Sequence, residues 1–195
     1  MLIRNDYQLR PLAKSDLERV FHWRNSDRIR LNMFSDHIIT MAEHSAWFDS
    51  VQLDNQNSIY RIFEFKGKPA GLVGFTDIDL KNQKCQWGFY IGEEDLPIGS
   101  GLIMGFLGVE FAFKYLKTRK LCGEVLAFNL RSINFHEKLG FLEEGRFIQH
   151  IRRNDKYEDI FYLALFQKDW ENRKLTLDKE LGLTSIVRAT ESGPI

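Results

Sequence analysis

The chain has 195 residues, enough for one domain with a sizeable core, and no shift in composition marks a second. Lysine plus arginine equals aspartate plus glutamate at 27 each, so no net field gathers nucleic acid or an anionic membrane, and a small, specific ligand is the expected partner. The start MLIRNDYQLRP has no apolar core of signal-peptide length, and Glu110 interrupts the longest apolar run too early for a membrane span, so a cytoplasmic protein is expected.

In chain order, a strand over Tyr7 to Leu12 leads into AKSDLERVFHWRN, where Ser15 can cap a helix whose apolar residues are Leu17, Val20, Phe21 and Trp23. After the polar and aromatic stretch DRIRLNMFSDHI comes a second helix, with Thr40 as its cap and Met41, Trp47, Phe48 and Val51 along one side. Alternating apolar residues with turns at KGKP and LKNQK then read as three antiparallel strands ending at CQWGFYIG. After the glycines comes a helix of roughly 17 residues whose apolar residues run from Leu102 to Leu116, apolar on nearly all sides and therefore central. KLCGEVLAFN reads as a strand, SINFHEKLG as a short helix stopped by Gly140, and FLEEGRFIQHI with YEDIFYLALF as a closing pair of strands. Residues 1–167 make the domain, and 168–195 form a charged tail, partly helical and then disordered over ATESGPI. Cys85 and Cys122 lie far apart without CxxC spacing, so buried thiols are expected, with neither a disulfide nor a metal site.

Gly99, Ser100 and Gly101 stand just before the central helix. They do not make a phosphate-binding P-loop, because Gly105 is followed by Phe106 and not by lysine, and Gly105 falls one residue late for a dinucleotide fingerprint. Glycines there still let backbone approach an anion, and amides at a helix start point toward one. An ordinary turn before a helix explains GxG alone equally well.

Taken with NLRSINFHEKLGF, which begins 28 residues after Gly101, the segment resembles the GNAT superfamily of N-acetyltransferases across most of residues 7–167. The resemblance implies an α/β (α+β) fold with a central, mixed, mostly antiparallel sheet of about seven strands flanked by about four helices. It also implies acetyl-CoA as co-substrate. Ile98, Gly99, Ser100, Gly101 and Leu102 would take its pyrophosphate, Phe89, Tyr90 and Ile91 its pantetheine arm, and Asn129 and Ser132 its flank. The family's usual Gln or Arg in the glycine motif is replaced by Leu96. The sequence WRN, the aromatic loop after it and the H-x-x-W-F helix are similar to acetyltransferases of pseudaminic acid biosynthesis, which acetylate the 4-amino group of a UDP-linked amino sugar. WRN is shared with acetyltransferases of ribosomal-protein N-termini, which stand as an alternative, beside a catalytically silent acyl-CoA-binding module. A homodimer is possible.

Acyl transfer to an amine needs a base for the ammonium, a donor for the thioester oxygen and an acid for the thiolate. Glu124, five residues before Asn129 on a strand, is the candidate base, with His44 as a relay; a solvated strand carboxylate and a core histidine are the plain alternatives. The oxyanion donor would be a backbone amide between Phe89 and Ile91. The resemblance places His136 where the family usually has a tyrosine acid. For the nucleotide sugar, Arg24 and Arg30 offer charge, and Met33, Phe34, Trp47, Phe48 and Phe89 offer apolar faces, although aromatics at helical spacing are more often core.

Overall fold

The computed structural model describes residues 4–53, 56–153 and 155–181. Seven strands form one sheet: β1 (Tyr7–Pro11), β2 (Ile59–Phe65), β3 (Lys68–Asp79), β4 (Lys84–Ile91), β5 (Lys120–Leu126), β6 (Leu142–Arg153) and β7 (Lys156–Phe166). Their spatial order is β1-β2-β3-β4-β5-β7-β6, antiparallel throughout except between β4 and β5. Among the described residues six α-helices flank it: α1 (Leu17–Asn25), α2 (Asp27–Arg30), α3 (Met41–Leu53), α4 (Ser100–Lys114), α5 (Leu130–Leu139) and α6 (Gln167–Glu180). This is the expected α/β architecture, with α2 formed inside the polar stretch and α6 within the tail.

Local chemistry explains most of the boundaries. Helix α3 starts on a reciprocal capping box, in which Thr40 Oγ1 accepts the Glu43 amide at 3.2 Å and a Glu43 carboxylate oxygen accepts the Thr40 amide at 2.6 Å. Ser15 does not cap α1. A 3-10 turn (Lys14–Asp16) comes first, and Asp16 anchors it by accepting the Ala13 amide at 2.9 Å and both terminal nitrogens of Arg10 at 2.6 and 2.7 Å. Gly140 ends α5 in the left-handed region, as expected, at φ 95°.

The two faces of the sheet carry separate cores. On one face α4 buries Ile103, Met104, Phe106, Val109, Ala112 and Phe113 against Phe63, Phe75 and Leu121. Each large side chain among these contributes about 1.5–3 kcal/mol by leaving water. Helix α6 closes that core with Trp170 and Leu177, both fully buried, and the Trp170 indole N–H donates to Glu110 at 2.7 Å. ATESGPI lies outside the described residues. On the other face α1, α2 and α3 cover Ile62 and Leu72 with Val20, Trp23, Ile29 and Phe48.

Strands β4 and β5 pair over only three rungs, Lys84 with Lys120, Cys85 with Leu121 and Gln86 with Cys122. Beyond Gln86, β4 stays with β3 as far as Ile91, while β5 stays with β7 as far as Leu126. The sheet therefore splits into two halves, and one edge of β4 from Trp87 onward faces a cleft instead of a neighbouring strand.

Candidate active site

A cavity of about 820 Å³ occupies that cleft. Its walls are the parted strands, α5, the start of α4 and the loop after α2. At the α4 end the two glycines have different reasons. Gly99 sits at φ 97°, a conformation that side chains resist. Gly101 has ordinary helical backbone, and a Cβ there would meet nothing nearer than the Phe135 ring at 4.0 Å, so its missing side chain leaves open room at the cavity wall. The Ser100 hydroxyl, expected on the cofactor, is engaged elsewhere: it donates to Pro97 carbonyl oxygen at 2.7 Å and lies 2.9 Å from the buried Tyr7 hydroxyl. The Ser100 amide also bonds to Pro97, and Ile103 closes onto Gly99, which leaves the Gly101 and Leu102 amides to face an anion. Ile98 is 99% exposed beside them. These features fit a pyrophosphate.

Along the cleft, Phe89, Tyr90 and Ile91 line one wall, and Asn129 and Ser132 line the other. Asn129 caps α5 by accepting the Ser132 amide at 3.1 Å, so its side-chain N–H₂ remains available to a ligand. Leu96, where a Gln or Arg was expected, packs against the core.

His136 lines the cavity, but its chemistry differs from that expected. It is 3% exposed, burial pushes its pKa down to about 4, and Nδ1 donates to the Ser132 carbonyl at 2.7 Å. The ring is thus neutral, with its single proton committed and a bare Nε2 buried without a partner. A general acid needs the opposite arrangement. Trp87 lies edge-on to this ring, and its indole nitrogen is likewise buried and unpartnered; both nitrogens pack on Gly123, where a Cβ would lie 2.8 Å from His136 Nε2 and 3.2 Å from the Trp87 nitrogen.

On the opposite side, Glu124 is exposed on β5 and lines the cavity, within 3.4 Å of the Gln86 side-chain amide. His44 also lines it, stacked on Trp47 at 5.0 Å; Nε2 donates to Leu17 carbonyl oxygen at 3.0 Å, and burial lowers its pKa. Nδ1 is therefore the nitrogen left for a relay. Arg24, Met33, Phe34 and Trp47 border the cavity, as do Tyr60, Thr76, Asp77, Gln86 and Trp87, which sequence reasoning missed. Phe48 does not: it is buried under α1 in the core, on the inner side of α3. Arg30 does not either, since its guanidinium holds Asp27 at 2.5 Å and the Asp36 carbonyl. Among the described residues no group of three or more His, Cys, Asp or Glu side chains could hold a metal ion, and Cys85 and Cys122 are buried free thiols.

Residues 7–142 match the acetyltransferase (GNAT) domain family. Spermidine N(1)-acetyltransferase of Vibrio cholerae is 21% identical over 165 residues, 85% of this chain and 95% of that protein. YdaF of Bacillus subtilis, provisionally assigned as a ribosomal N-acetyltransferase, is 26% identical over 125 residues, 63% of this chain and 67% of its own. The crystal structure of the V. cholerae spermidine enzyme with CoA and spermine superposes with a TM-score of 0.79 at 19% identity, covering 86% of this chain and 99% of that one. The narrower likeness to nucleotide-sugar acetyltransferases is not carried by these relatives. The family match and the cleft together lead to one conclusion: the chain belongs to the GNAT acetyltransferase family and is an acetyl-CoA-dependent N-acetyltransferase.

Proposed function

We propose that the acceptor is a phosphate-bearing amine, the 4-amino group of a UDP-linked 4-amino-4,6-dideoxy sugar of the pseudaminic acid type. One observation carries this reading. Arg24 borders the acceptor half of the cavity, burial lowers its pKa, and its Nη1 is buried with no hydrogen-bond partner, while Nη2 donates to Ser35 carbonyl oxygen at 2.5 Å. A guanidinium nitrogen held out of water without a partner is costly, and an anionic oxygen relieves that cost. Met33, Phe34 and Trp47 supply flat apolar surface beside it for a base or sugar ring.

Within this reading Glu124 takes the ammonium proton, through water or with His44 as relay. The amine then attacks the thioester carbon, and an amide on the unpaired edge of β4 between Phe89 and Ile91 holds the oxygen as it becomes negative. As the intermediate collapses the nitrogen gives its second proton to water, and with His136 neutral the thiolate leaves as an anion and takes a proton back from water, which a thiol of pKa about 8.5 permits.

A polyamine acceptor is the second reading, favoured by the spermidine-acetylating relative and by the carboxylates of Glu43, Asp77 and Glu124 around the cavity. Glu43, however, is already engaged by the Thr40 cap and by His37 at 3.1 Å, and Arg24 repels a polycation. A coupled thiol-release assay with the UDP-4-amino sugar, spermidine and an N-terminal peptide separates the readings. The UDP-sugar should be turned over, and Arg24→Gln should raise its KM about tenfold or more while leaving the acetyl-CoA KM unchanged. A higher kcat/KM on spermidine or the peptide overturns the proposal.

A further inference from the structure

One polar cluster spans the two halves of the sheet at the point where they part. Gln86 is the last residue of β4 that pairs with β5, and Glu124 on β5 lies opposite Tyr162 on β7. The Gln86 side-chain amide reaches both, donating to the Tyr162 hydroxyl at 2.9 Å and to Glu124 Oε1 at 3.4 Å. An amide N–H₂ carries two hydrogens, so both bonds can be made at once. Burial raises the Tyr162 pKa, which keeps the phenol protonated and its oxygen a steady acceptor. Gly88, two residues along β4 and on the same face, has no side chain, and a Cβ there would meet nothing within 4 Å. The floor beside Gln86 is therefore open to an acceptor.

We infer that Gln86 is a positioning residue for the acetyl transfer: anchored by Tyr162, it binds one oxygen of Glu124 and leaves Oε2 turned to the acceptor amine. An exposed glutamate on a strand otherwise samples several rotamers, and a base that is misplaced by an ångström loses much of its effect. The inference rests on the reading of Glu124 as the base, and its test separates the two.

In the full chain, the Gln86 side-chain amide resonances, identified by their loss in Gln86→Leu, should move in Glu124→Gln and in Tyr162→Phe. In the thiol-release assay with the UDP-4-amino sugar, or with spermidine if that is the amine turned over, Gln86→Leu should lower kcat about ten- to a hundredfold with both KM values within about twofold. Tyr162→Phe should lose less, and the double variant should be no worse than Gln86→Leu alone. Glu124→Gln with undiminished turnover defeats the base reading. An inactive Glu124→Gln beside a Gln86→Leu protein of normal kcat defeats the positioning role, as does an amide resonance indifferent to Glu124.

Discussion

At position 136 the imidazole spends its one proton on a backbone carbonyl and hides its other nitrogen against Gly123. The resemblance puts this residue where the family usually has a tyrosine acid, but burial decides its charge. Linkage gives the sign of the effect on folding. An unfolded histidine titrates near 6.5, whereas this one is held to about 4, so between those values the unfolded chain binds a proton that the folded chain refuses. Stability is unaffected above about pH 6.5 and declines as pH falls toward 4, by about 2 kcal/mol at pH 5. Urea unfolding at pH 7 and pH 5 should show a smaller loss in His136→Phe than in the parent protein, and equal losses would refute the argument. The same variant should keep turnover within about threefold with no change in the alkaline limb of its pH profile, because a neutral ring is not the acid; a hundredfold loss in a folded protein would restore that role.

At the scale of elements, the order of strands and helices was legible because each has a local cause: alternation for the meander, Thr40 and Glu43 for α3, Gly140 for the end of α5. The cavity was less legible. Trp47 and Phe48 are adjacent on α3, yet one borders the cleft and the other fills the core, because successive helix positions point about 100° apart. Tyr7 and Ser100 meet across 93 positions, and no local pattern announces such a contact. The two glycines at α4 can now be told apart by experiment. Gly101→Val should fold normally and lose acetyl-CoA binding in calorimetry, since only a ligand would meet the new side chain. Gly99→Ala should instead cost stability, about 1–2 kcal/mol for a left-handed residue with a Cβ. Unchanged affinity in a folded Gly101→Val protein would move the pyrophosphate elsewhere.

For the whole molecule, two long-range ties hold the halves in register. Helix α6 lays Trp170 under α4, and Trp170→Ala should lower stability by about 3–5 kcal/mol in a denaturant titration. Arg153, at the end of β6, crosses to the other half: it donates to the Leu31 carbonyl at 2.9 Å and to Asp36 at 3.2 Å, with its guanidinium over the Phe128 ring. It thereby joins the loop after α2 to the turn that carries Asn129. Arg153→Met should leave acetyl-CoA affinity intact and raise the acceptor KM, and an unchanged acceptor KM would reduce this tie to packing.

The three-rung pairing of β4 with β5 means that the protein is assembled around a vacancy of one strand. A substrate arm lying along β4 would complete its ladder, so ligand recognition and the finishing of the sheet become the same event. Hydrogen exchange would register it: amides from Gly88 to Ile91 that face the cleft should trade with solvent within the free protein and slow markedly once acetyl-CoA fills the gap, while those paired to β3 stay protected in both states. In a cell the supply of acetyl-CoA would then govern not only how fast this enzyme works but how long each copy survives, since an open strand edge is also where unwanted pairing and proteolysis begin.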